Sequence, residues 1–238
     1  MIRDCGLEEI SDGRLYTEND MVKADTCNCG GCKSVCCHGM GKSIVLDPYD
    51  VYRLTHCLNT TFEELLKDKV EINYVDGIML PNLKMSADTD NCAFLDENRR
   101  CAIHQARPGM CRLFPLGRYW EDETHFKYIL QTGQCKKENL SKIKVKKWLD
   151  TDNLAEYNAY IVMWHQYLKR IEAAVAGIGR ELAEKLQAEE ARQLAATQIK
   201  TICLYTLKTF FSTPYDERPF FEQIRERISS AYSALGME

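Results

Sequence analysis

The run Cys27-Asn28-Cys29-Gly30-Gly31-Cys32-Lys33-Ser34-Val35-Cys36-Cys37 sets five thiols within eleven residues, and it constrains the fold of this chain more than any other feature. Thiols at that density are too many for core packing, and the paired glycines let the backbone turn tightly around something the sulfurs share. Four more cysteines, Cys92, Cys101, Cys111 and Cys135, follow after a gap and form the natural second half of one site. The expected shared object is metal.

The totals support that reading. A chain of 238 residues can build one sizeable domain or two small ones, so metal is not required merely to rescue a tiny fold. The 31 basic and 35 acidic side chains leave a net charge of −4, which offers no overall attraction to phosphate backbones, so nucleic acid is not an expected partner. No apolar run reaches the length of a membrane span, and the first residues lack the apolar core of a secretory signal, so the expected location is the cytoplasm, with no membrane partner. In that reducing compartment closely spaced cysteines are more often metal ligands than disulfides; export would make a disulfide framework the rival.

The expected fold class is α+β: a small cysteine-rich metal-binding region of short strands and helices, followed by an α-helical unit. Residues 1–26 are polar and read as a loose lead-in with at most one short element, 27–149 as the cysteine-cluster domain, and 150–238 as the helical unit. Ser43 to Leu46 suits a strand. Asp47-Pro48 is a helix-start signal for Tyr49 to Leu58, and Thr61-Phe62-Glu63-Glu64 reads as a capping box with Phe62, Leu65 and Leu66 turned inward. Val75-Asp76-Gly77 between apolar runs predicts a hairpin over Glu71 to Leu83, and Leu116 to Trp120 with His125 to Leu130 predicts another. Asn91 to His104 reads as two short strands or loops joined by a polar turn. Three helices should close the chain: Leu154 to Leu186, with Gly177 and Gly179 as candidate breaks, Ala191 to Phe211, and Pro219 to Leu235 capped by Asp216.

A ligand set made almost wholly of sulfur points to zinc or an iron-sulfur centre and away from magnesium or calcium. The spacing Cys29-x2-Cys32-x3-Cys36-Cys37 lets several sulfurs face one centre from a single loop, while adjacent Cys36 and Cys37 suit two metals or two corners of a cluster. Mononuclear zinc commonly uses two Cys-x2-Cys turns, and only the first half shows one. The dispersed Cys92, Cys101 and Cys111 fit a larger object, so an iron-sulfur cluster, [4Fe–4S] in particular, is favoured over zinc. Excess thiolate charge needs offsetting cations, and Arg107 and Arg112 flank Cys111 closely enough to serve, an ordinary surface ion pair being the plainer reading.

These residues also resemble a known family. Cys29-x2-Cys32-x3-Cys36-Cys37, Cys92-Ala93-Phe94-Leu95 and Cys101-Ala102-Ile103-His104-x2-Arg107-Pro108-x2-Cys111-Arg112-Leu113-Phe114-Pro115 look like the YkgJ-type cysteine-cluster proteins, a family of zinc- or iron-chelating domains. The resemblance covers about Cys27 to Cys135 and implies metal chelation, with Cys29, Cys32, Cys36, Cys37, Cys92, Cys101, Cys111 and Cys135 as the ligand pool. The chain departs from the common pattern in having one extra residue before the paired cysteines and in carrying His104 where tyrosine is usual, which adds a nitrogen to the candidate ligands. A distant resemblance to the cysteine-rich domain of flagellin lysine N-methylases suggests protein modification, but no Gly-rich methyltransferase loop follows a strand.

The expected function is a cytoplasmic iron-sulfur protein supporting redox chemistry or peptide or protein modification. The alternatives are a structural zinc module whose helical tail binds a partner protein, and a metal delivery or storage protein. Cys5 and Cys27 read as bystanders, Cys57 and Cys203 as buried packing residues on helices, His38 as a solvent-facing loop residue, and His165 as a hydrogen-bonded structural histidine. Lys136 to Lys147 is lysine-rich. Its alternation over Lys142 to Lys146 reads as a charged edge strand, the sharper alternative being a face for an acidic partner or an anionic substrate tail beside Trp148.

Overall fold

In the computed structural model the residues described are 6–26, 29, 32, 34–185 and 187–237; Cys5, Cys27 and the Gly30-Gly31 pair lie outside them. Where local chemistry dictates structure, the expected elements form. Asp47 accepts the N–H of Asp50 at 2.9 Å and Asp50 accepts that of Asp47 at 3.2 Å, a reciprocal box that starts α2 (Pro48–Leu58). Thr61 caps α3 (Phe62–Asp68), with Phe62 and Leu65 buried. Asp76 and Gly77 take φ of 50° and 82°, the two left-handed residues that a tight hairpin turn needs, between β2 (Val70–Val75) and β3 (Ile78–Leu83). Ser43 to Leu46 runs beside β3, bonding Leu46 N–H to Pro81 O and Leu83 N–H to Ile44 O, but the pairing stops at a bridge between Val45 and Asn82 and does not extend into a full strand.

The lead-in is more ordered than its composition suggests. It holds α1 (Leu7–Ile10) and β1 (Met21–Asp25), and β1 pairs antiparallel with β6 (Ser141–Lys144). Its inward side chains are Val22 and Ala24, both almost fully buried, and two small apolar residues among charges make a weak period-two signal. The lysine-rich strand is shorter than its alternation: from Val145 the chain turns into α5 (Val145–Leu149), because Val145 and Leu149 both bury on one helical face. Between these lie α4 (Gly109–Leu113) and the hairpin β4 (Leu116–Trp120) with β5 (Phe126–Leu130).

The C-terminal helices are α6 (Leu154–Lys185), α7 (Ala188–Leu207), ending in a π-turn over Lys208–Ser212, and α8 (Phe220–Leu235). Gly177 and Gly179 do not break α6. Their backbone stays helical, and a side chain at either position would meet open space. Asp216 does not cap α8. Its carboxylate accepts Arg218 N–H, and Pro219 occupies the cap position. The molecule is α+β, with three two-stranded antiparallel sheets among its described residues.

One core runs across the expected boundary near residue 150. Leu46, Leu54, Val70, Leu83 and Phe94 from the first half pack in the same cluster as Tyr160, Tyr167, Ile171, Phe210 and Ile224 from the helices. A second, smaller core gathers Tyr16, Val22, Leu113, Leu116, Tyr128 and Val145. Helix α4 joins the two, with Cys111 against the first and Leu113 inside the second. Cys203 is buried as expected, but Cys57 is exposed, because α2 turns its Val51 and Leu54 face inward and leaves Cys57 on the outer side.

Candidate metal centre

The cysteine-bearing loops are laced to one another through their backbones. Cys29, with φ of 58°, receives Cys32 N–H at its carbonyl (3.1 Å) and gives its own N–H to Thr26 Oγ1 (3.2 Å). Ser34, at φ 60°, directs its N–H at Cys32 Sγ (3.2 Å) and its hydroxyl at the carbonyl of Arg99 (2.6 Å), tying the first loop to the second. A 3₁₀ turn over Val35–Cys37 presents the adjacent cysteines, with their sulfurs 3.8 Å apart. Cys92 N–H bonds Cys37 O (2.8 Å), Cys101 bridges Leu95, and Arg100 reaches back to the carbonyl of Cys29 at 2.5 Å.

Cys111 is delivered by α4, whose first residue is clamped from below. Gly109 N–H donates to Asp50 Oδ1 at 2.7 Å, and a Cβ on Gly109 would lie 2.5 Å from Tyr157 Oη, so only glycine fits. Asp50 therefore serves the α2 cap and the cysteine helix at once. The sequence signal at this cap pointed to Asp47, and neither role of Asp50 was among the expectations.

Together these loops surround two adjoining cavities. The inner one, ≈ 50 Å³, is lined by Cys29, Cys32, Cys36, Cys37, Cys92, Cys101 and Cys111. The outer one, ≈ 340 Å³, is lined by Cys29, Cys32, Cys36, Cys111 and Cys135. All eight cysteines of the expected pool thus face this shared space, four of them facing both parts, and every one of the eight is a free thiol. Among the described residues no group of three or more His, Cys, Asp or Glu side chains is arranged to hold an ion as it stands. The sulfurs enclose a common volume without meeting at one point.

Electrostatics link the thiols into one system with Cys36 at its hub. The hydrogen bond from Cys37, aided by Arg107, brings Cys36 down to about 7, while that same bond, burial and the neighbouring sulfurs hold Cys37 well above a free thiol. Burial pushes up Cys92, Cys101, Cys111 and Cys135, and each is raised further by the charge of Cys36. Cys36 readily forms a thiolate, while Cys37, Cys92, Cys101, Cys111 and Cys135 hold their protons more tightly than free thiols.

Arg107 lines both cavities, as a charge-balancing residue would. Arg112 turns the other way: it is buried, donates to Thr151 Oγ1 at 2.6 Å and lies over the Tyr157 ring at 5.1 Å, among the charges of Asp47, Asp50 and Arg118. His104 lines the inner cavity, and its Nε2 is buried without a hydrogen-bond partner among the described residues; burial also holds its pKa down, so the imidazole is neutral and able to donate a lone pair. His38 is half-buried and bonds Arg99 at 3.1 Å. His165 stacks on Trp120, ring centres 3.7 Å apart, in place of the expected hydrogen bond.

Soft sulfur donors, an orphaned buried nitrogen and N–H groups aimed at sulfur all fit a zinc or iron centre. No helix among the described residues is long and apolar enough to cross a membrane. No solved structure matches the chain. Residues 28–136 match the CxxCxxCC family model, described as a "Putative zinc- or iron-chelating domain", in keeping with the YkgJ-type pattern of these residues.

Proposed function

We propose that the chain holds an iron-sulfur centre, with Cys29, Cys32, Cys36, Cys37, Cys92, Cys101, Cys111 and Cys135 as its ligand pool and Arg107 balancing its charge. The observation that carries this reading is the pair of cavities with four sulfurs in common, since a polynuclear centre can use ligands spread over two connected spaces and a single ion cannot. Such a centre would supply one-electron chemistry or a Lewis-acidic iron, which suits redox work or modification of a peptide or protein. The surplus of sulfurs over the four that one cluster needs leaves thiols able to meet a substrate. A reducing cytoplasm is the compartment in which these thiols stay available.

A second reading, a closed zinc site, draws on the small inner cavity and on His104 Nε2, because three sulfurs and one imidazole form an ordinary tetrahedral set. Its helical tail would then serve a partner protein. Anaerobic purification with iron, zinc and acid-labile sulfide analysis and a visible spectrum separates the two. Iron with matching sulfide and broad charge-transfer absorbance is the expected result. Colourless protein with tightly held zinc and no sulfide would replace it with the second reading.

A further inference from the structure

The outer cavity carries features that the ligand pool does not account for. At ≈ 340 Å³ it is far roomier than the inner one and falls at the lower end of small-molecule sites, which run from roughly 300 to 1,000 Å³. Beside the sulfurs it is lined by Arg107, Lys136 and Lys137 against a single carboxylate, Glu138. Phe114, Pro115 and Trp148 supply apolar surface.

Several of these groups are held in place. Lys137 donates to the carbonyl of Thr26, itself a lining residue. The Trp148 indole donates to Leu113 O at 3.2 Å, which fixes the plane of its ring. Arg107 Nε is buried with no hydrogen-bond partner among the described residues. A cationic excess next to anchored aromatic surface recognises an anion carried on an apolar body, because charge-assisted bonds fix one end and ring contact the other.

We infer that the outer cavity binds a small organic acid, its carboxylate facing Arg107, Lys136 and Lys137 and its apolar part against Phe114, Pro115 and Trp148. The acid then sits next to Cys29, Cys36 and Cys111, so its position beside a metal rests on the proposed function above, while its binding does not. Lys136 and Trp148 lie outside the ligand pool, which allows the two proposals to fail separately.

The test uses metal-loaded full-length protein, titrated calorimetrically with 3-phenylpropionate, with uncharged 3-phenylpropionamide, and with acetyl-Gly-Gly-Phe, whose free C-terminus offers the same acid on a peptide. Saturable binding of the acid at least about tenfold tighter than the amide is expected, and Lys136→Gln should weaken it about tenfold without changing metal content. Lys142→Gln, on the exposed strand β6 and away from the cavity, should leave it unchanged. Tighter binding of the tripeptide keeps the site and assigns its acid to a peptide end. Absent binding, equal binding of acid and amide, or equal loss in both lysine variants overturns the inference. Acid binding that persists after the metal is chelated supports the cavity as the site, and binding lost with the metal overturns the claim that the cavity binds the acid by itself.

Discussion

The helical half and the cysteine half of this molecule are stabilised by different physics. Around α6, α7 and α8 the interior is aromatic: Tyr167 and Phe210 are fully buried with ring centres 4.9 Å apart, and Trp164 approaches Phe210 at 5.2 Å. Contacts of that kind need nothing but apolar burial and ring geometry. Around Cys29 to Cys37 and Cys92 to Cys111 the chain runs largely in loops and 3₁₀ turns, and its inward groups include thiols, three arginines and an imidazole. Backbone hydrogen bonds lace those loops together, yet the space between them is lined by groups that satisfy one another poorly. The contrast teaches that the cysteine region is completed by what it binds, whereas the helices close on apolar surface, part of it shared with the first half.

Removing metal breaks the comparison most forcefully. Metal-binding free energy is folding free energy in thiolate sites, so stripping metal, or substituting Cys111→Ser, should cost several kcal/mol locally. Hydrogen exchange should then rise over 34–38 and 92–113 while the buried stretch 160–171 keeps its protection. Equal loss in both regions would show that the shared core, and not the metal, holds the cysteine loops. The reverse experiment is Phe210→Ala, expected to cost about 3–5 kcal/mol in chemical denaturation by opening an aromatic cavity. Metal per folded molecule should stay at its wild-type level. A fall in metal content at unchanged stability would mean that the helical core positions the thiols directly.

Asp50 lies between the regions and gives the next largest effect. Desolvation and the repulsion of Asp47 raise its carboxyl to about 7. The unfolded chain ionises near 4, so between about pH 4 and about pH 7 the folded state binds the extra proton, and the contribution of this group to stability falls as pH rises, by up to about 1.4 kcal/mol per pH unit. Below that window the group carries no penalty; above it the loss is complete. Denaturation curves of metal-loaded protein across pH 5–8 should show this slope, and Asp50→Asn should flatten it. An identical slope in the variant assigns the pH dependence to other groups.

What could be read in the sequence was whatever has a local signal. The Asp47 and Thr61 caps, the Asp76-Gly77 turn and the long period of α6 are each written within a few residues, and each formed. The density and spread of the cysteines likewise pointed to one shared space, and the eight expected sulfurs line it. The groups that shape that space were hidden, because Ser34 with Arg99, Arg100 with Cys29 and Asp50 with Gly109 are pairings across distant segments that no spacing encodes. Strand β1 was obscured for the same reason, its partner β6 lying far along the chain. Arg107 and Arg112, four residues before and one after Cys111, both lie near it in sequence, and only the fold sends Arg107 to the thiols and Arg112 to the buried carboxylates.

The smallest effect sharpens the comparison by asking what a cysteine is worth away from the site. Cys57 and Cys203 both sit on helices, but Cys57 is exposed on α2 whereas Cys203 is fully buried, its sulfur accepting Met79 N–H at 3.4 Å from the β2–β3 hairpin. The same change to serine should therefore separate them. Cys203→Ser puts a smaller, more polar atom into a fully buried site whose bonds to Met79 N–H and Gly77 O are set for sulfur and should cost about 1–2 kcal/mol, while Cys57→Ser should stay within about 0.5 kcal/mol. A thiol reagent applied to the native protein should label Cys57 at once and reach Cys203 only on unfolding. Neither substitution should alter metal content, because both side chains lie outside the two cavities. If Cys57→Ser lowered metal content, the exposed thiol would be acting in metal capture, and the division between packing cysteines and site cysteines would have to be redrawn.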